Sequence, residues 1–116
     1  MAGYDFPDGV SPDLAVRLEW AAGGREKRSG YRANLVFDGG RLGTTGWFKF
    51  ENGSAQPGET VGAEIALMAP QLVEHGVDAG ASFKITEGRE TVASGHVTRI
   101  LALAINARRN RKLENE

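Results

Sequence analysis

The side chains able to do chemistry are few and dispersed. Ser94 and His96 stand two apart in a stretch that reads as a strand, so they merely share a face. None of Ser11, Ser29, Ser54, Ser82 or Ser94 stands in a nucleophile-elbow sequence. Glu87 and Glu90 flank a turn, where a solvated carboxylate pair has nothing to raise its pKa toward acid–base work. His75 and His96 lie in separate segments without metal-ligand spacing. No phosphate loop and no G-x-G-x-x-G occurs, so the chain has no GTP site of that type. The expectation is a non-catalytic protein with no cofactor and no metal. Two basic clusters remain. Arg25, Lys27, Arg28 and Arg32 flank one loop, and Arg108, Arg109, Arg111 and Lys112 crowd the C-terminal stretch. Such clusters suit phosphate contact, although a charged loop tip is also how a chain solvates itself.

Composition bounds these readings. A chain of 116 residues with 41% hydrophobic and 25% charged residues is ordinary for one soluble domain with its own core. Its 16 glycines imply many turns and favour an all-β fold over a helix bundle. A formal net charge of −1 provides no overall field toward nucleic acid or membrane. The absence of cysteine excludes disulfides and thiolate metal sites and fits a reducing compartment. With no basic-then-apolar leader and no membrane-length apolar run, the expected location is the cytoplasm, away from membranes.

Period-two alternation supplies the elements. Residues 1–13 read as a flexible acidic arm, with Tyr4 and Phe6 able to tack it onto a barrel surface. Leu14, Val16, Leu18 and Trp20 form one face of a strand, with Arg17 and Glu19 on the other. Tyr31, Ala33, Leu35 and Phe37 repeat the pattern, then Val61, Ala63, Ile65 and Leu67. Between them, residues 38–46 read as turn material and Trp47-Phe48-Lys49-Phe50 as a short aromatic strand. Pro57-Gly58 fits a type II turn. Residues 71–81 are ambiguous between a strand and a helical turn. Residues 83–101 read as a hairpin turning at Glu87-Gly88-Arg89-Glu90, with Gly95 breaking the return strand as a β-bulge would. Residues 102–116 are either a short helix or a basic tail. Closely spaced short strands of this kind predict a closed barrel or a sandwich over residues 14–101.

Several of these segments, in order, resemble the third domain of bacterial elongation factor Tu. They are Gly23-Gly24-Arg25, Gly30-Tyr31-Arg32 with Phe37, Thr45-Gly46, Pro57-Gly58 with Pro70, and then Phe83, Ile85, Glu87-Gly88, Thr91-Val92, Gly95, Val97 and Leu101. The resemblance implies a six-stranded antiparallel β-barrel. It places Arg25 where the family approaches tRNA and Asn34 where the family has a polar Gln. Ser82 and Lys84 stand where the family has Arg and Ala facing the GTPase domain in the full factor, so the residues at that face differ. The pattern departs at Glu26-Lys27-Arg28, at Glu90 and in longer segments at 38–46 and 71–81, and the GTPase and second domains are missing.

The functional expectation is a free-standing binding module that docks a protein partner, with Trp47, Ser82 and Lys84 as interface residues. The alternative is an RNA or tRNA backbone contact through Arg25, Lys27, Arg28, Arg32, Asn34, Arg108 and Arg109. A small-molecule-binding or hydrolytic barrel is a third class, and it requires a deep pocket lined by polar groups.

Overall fold

The alternation of residues 14–20 holds in the structure, a computed structural model that describes residues 5–115. The strands are β1 (Leu14–Trp20), β2 (Lys27–Arg28), β3 (Arg32–Phe37), β4 (Leu42–Phe50), β5 (Ser54–Ala55), β6 (Thr60–Leu67), β7 (Ser82–Glu87) and β8 (Glu90–Ile100). One helix, α1 (Leu103–Glu114), follows them. Six strands close into an antiparallel barrel in the order β1-β6-β4-β3-β7-β8, with β8 returning to β1. β2 and β5 form a separate two-residue ribbon beneath it. The expected all-β, six-stranded antiparallel barrel is therefore the fold.

One face of every strand fills the barrel axis. Leu14, Leu18, Leu35, Phe48, Ile65 and Ile85 are all completely buried, which leaves side chains rather than a cavity along the axis. Trp20 sits edge-on to Tyr31 and Phe50, with ring centroids 5.7 and 5.9 Å away. Its indole N–H is the only buried side-chain polar atom among the described residues without a hydrogen-bond partner, at a cost of about 1–3 kcal/mol.

Two local expectations change, and one open choice is resolved. β4 begins at Leu42, so half of the segment expected to be turn is strand. Its Gly46 points inward, where a Cβ would lie 2.7 Å from both Ile65 and Leu35 side-chain atoms. Residues 70–76 form two short 3-10 turns that bury Val73. The hairpin turns at Gly88, whose φ of +60° the two-residue connection needs, but Gly95 is not a bulge. It pairs in register with Leu18 on one side and Phe83 on the other. The register slips instead at Thr98 against β1 and at Val92 against β7. Gly95 is required for closeness: a Cβ there would lie 2.6 Å from the Arg17 carbonyl oxygen and 2.8 Å from Leu18 Cδ2.

The stretch after residue 102 is helical, with Leu103 and Ala107 buried. α1 packs beside the 3-10 turns, where Arg111 bonds Glu74 at 2.5 Å and Asn110 donates to Gln71 at 3.1 Å. Asp13 joins the arm, barrel and helix. It is 1% exposed, its Oδ2 accepts the Leu67 N–H at 2.6 Å, and its Oδ1 accepts from the Asn106 amide at 2.8 Å. The arm assigned to residues 1–13 thus carries contacts of its own: Asp5 pairs with Lys49 at 2.7 Å, and Phe6 is half-buried. Tyr4 lies outside the described residues.

Three variants probe this frame. Gly95→Ala forces the β1–β8 seam apart and is expected to destabilise by roughly 3 kcal/mol, whereas Gly23→Ala, with open space around its Cβ, stays within about 0.5 kcal/mol of the parent. Urea unfolding midpoints measure both, and equal midpoints would remove the close-approach argument. Asp13→Ala strips the acceptor from the buried Leu67 N–H and is expected to cost about 2–4 kcal/mol. A midpoint unchanged from the parent would show that the carboxylate joins nothing.

Candidate functional site

Strand alternation sends one residue in two to the outside of the barrel, and barrel register decides which of these meet. Ser82 and Lys84 project from β7, opposite His96 and Ser94 of β8 respectively. His96 in turn lies opposite Arg17 of β1, and Ser94 opposite Glu19. Two rows of polar side chains therefore cross the β7–β8–β1 wall. They line a groove of about 650 Å³ that extends to Val36 on β3. A groove of about 380 Å³ on the other side of Arg17 shares that residue, and one of about 190 Å³ lies elsewhere. Ser94 and His96 share the large groove, but no hydrogen bond joins them among the described residues. Among these residues, no three or more His, Cys, Asp or Glu side chains cluster to hold a metal ion.

Of the expected interface residues, Ser82 and Lys84 occupy the same groove, exposed and two positions apart. Trp47 does not. It is half-buried on β4, three strands round the barrel from β8, and lines the 190 Å³ groove with Val10, Met68 and Arg109. Strand phase predicted that Trp47 faces away from Phe48 and Phe50. Pairing placed it apart from Ser82 and Lys84.

The expected RNA residues are distributed over three places. Arg25, Lys27 and Arg28 follow the last residue of β1, while Arg108 and Arg109 lie on α1, whose chain enters beside Pro12 at the start of β1. Seven residues of strand, about 20 Å at roughly 3.3 Å each, separate the two groups. Arg32 and Asn34 project from the outer face of β3, where Asn34 accepts from the Thr45 hydroxyl at 2.9 Å. Two of the loop cations already have acidic partners. Arg28 pairs with Glu26 at 3.5 Å. The Lys27 ammonium lies 3.1 Å from Glu87 and 5.1 Å over the Tyr31 ring, a largely enclosed position with only 15% of its side chain exposed. Arg25, Arg32, Arg108 and Arg109 are exposed, and none has an ion-pair partner among the described residues.

Lys27, Tyr31 and Glu87 make a small polar knot at the Trp20 end of β1. Tyr31 donates its hydroxyl to Glu87. Burial pushes the Tyr31 phenol well above its ordinary value, and the bond to Glu87 raises it further. The Tyr31 hydroxyl, followed by the Lys27 ammonium, holds the Glu87 carboxyl below its ordinary value. At the helix, Arg111 does the same for Glu74. Asp13 goes the other way, because burial outweighs the hydrogen bonds it accepts and raises it.

The groove, the knot and the Asp13 joint thus belong to a closed antiparallel barrel with an apolar, filled axis. No protein-family model matches the chain. No helix among the described residues is long and apolar enough to cross a membrane.

The depressed carboxyls fix a pH dependence. A lowered folded-state pKa contributes stability above the unfolded value of 4.5 and loses it as pH falls through the folded value. The gap in Tm between the parent and Glu87→Gln is therefore expected to be widest above pH 4.5 and to close as pH falls below it. Thermal melts across that range check it, and a gap independent of pH would show that Glu87 acts without its charge. Asp13, with its raised value, has the opposite sign: the part of its contribution linked to protonation is greatest below 3.8 and is lost as pH rises through the folded value, leaving the hydrogen bonds it accepts from Leu67 and Asn106.

Proposed function

We propose that the chain is a free-standing, non-catalytic binding module, related to the third domain of elongation factor Tu, that docks a protein partner through the β7–β8–β1 wall. One observation carries the reading. Ser82 and Lys84, which stand where that family has Arg and Ala facing its GTPase domain, are exposed in the groove of about 650 Å³. The collinear motifs between residues 14 and 101 supply the family side of the argument, and a translation factor is the partner class it suggests. A filled barrel axis favours an outer-wall interface over an enclosed substrate site.

RNA contact is the second reading. It rests on Arg108 and Arg109, which are exposed on α1 beside Lys112 without ion-pair partners among the described residues. Such a contact neutralises phosphates and weakens steeply with salt.

A photo-reactive side chain placed at residue 82, and separately at Asn52 in a remote turn, distinguishes the readings. Docking predicts one protein adduct from position 82 and none from position 52. Equal adducts from both positions, or none from either, count against the wall as an interface. Salt-sensitive tRNA binding that disappears in the Arg108→Glu, Arg109→Glu double variant would transfer the function to RNA.

A further inference from the structure

The wall that carries the proposed docking site has an unusual restriction on what it can recognise. Its backbone N–H and C=O groups are committed to ladders on both sides, since β7 pairs with β3 and β8, and β8 with β7 and β1. A partner strand has no edge to extend. Recognition here falls to side chains, and those in the groove are chiefly donors. Lys84 and Arg17 are permanent cations, and His96 becomes one when protonated. The hydroxyls of Ser82 and Ser94 stand between them in the two cross-strand rows. Glu19 is the one carboxylate among the described residues lining the groove.

Neither permanent cation is used up within the chain. Lys84 is exposed and has no ion-pair partner among the described residues. Arg17 reaches Glu51 at 3.7 Å, but both side chains are about half exposed, and such surface pairs contribute little. The Glu51 carboxylate also accepts from the Gly62 N–H at 2.9 Å. A donor-rich groove of about 650 Å³, within the roughly 300–1,000 Å³ of ordinary ligand sites, is complementary to an acceptor-rich occupant.

We infer that the partner presents an acidic segment to this groove, its Asp and Glu carboxylates meeting Lys84 and Arg17 and accepting from Ser82 and Ser94. This rests on the docking reading and adds the chemistry of the partner. Charge complementarity favours such a segment, because Lys84 and Arg17 are cations that an acidic occupant would neutralise and the Ser82 and Ser94 hydroxyls between them can donate to its carboxylates.

The test is an NMR titration of the isotope-labelled full chain at low salt with an acetylated oligoglutamate peptide. Parallel titrations use the matched oligoglutamine peptide and a single-stranded oligonucleotide. The expected result is saturable shifts at the amides of residues 82, 84, 94 and 96 with oligoglutamate alone. Lys84→Glu weakens that binding about tenfold, His96→Ser leaves part of it, and Asn52→Glu in the remote turn leaves it unchanged. Matching shifts with oligoglutamine would overturn the acidic inference while leaving docking intact. Tighter binding of the oligonucleotide at the same amides would overturn both. Oligoglutamate shifts confined to α1, or no shifts with any probe, would overturn the inference, leaving docking to the cross-linking result.

Discussion

Everything in this molecule depends on the first and last strands of the barrel meeting. Without the β1–β8 seam the six strands are an open sheet with two unpaired edges and half of an apolar core facing water. Gly95 makes the approach close enough, because the Arg17 carbonyl occupies the space that a Cβ would need. The extra residue at Thr98 then bends β8 so that its far end can follow β1. A compact side chain and a register slip, three residues apart, together turn a sheet into a barrel.

The same seam builds the outer groove. Arg17 and Glu19 belong to the start of the chain, and His96 and Ser94 to its later part, and they become neighbours only by pairing. Their inward neighbours fix them in phase. Leu18 and Val97 are buried, so Arg17 and His96 must point outward. The wall that reads as an interface is therefore a by-product of the packing that fills the axis, presented on a rigid support rather than on a loop.

How much of this was legible in the sequence follows from which signals are local. β1, β3, β6 and the β7–β8 hairpin announce themselves because each buries one face, and burial of one face writes a period of two. The first half of β4 does not, since Gly43, Thr44, Thr45 and Gly46 have small or polar side chains where the pattern would need bulk. α1 is similarly quiet: only Leu103 and Ala107 are buried, too few for a helical stripe, and basic residues dominate the remainder. The outward direction of Ser82 and Lys84 was readable from the phase of Phe83 and Ile85. That Arg17 shares their groove was not, because register between distant strands leaves no mark in either one. Asp13 was the hardest, as a carboxylate in an acidic, turn-rich segment looks solvated until Leu67 and Asn106 are brought to it.

The placement of β1 also sets when the fold can form. Leu14 finds its partners at Ile65 and Ile100, so β1 has no neighbour until β6 is made and no second neighbour until β8 is. Contacts over such separations must overcome loop-closure entropy before they return any stabilisation. During synthesis β1 waits as an apolar ribbon. The β3–β4 and β7–β8 hairpins are local enough to form at once, and the second of them offers β1 an edge. The first strand of the barrel is therefore covered on both sides only once β8, the last, is in place.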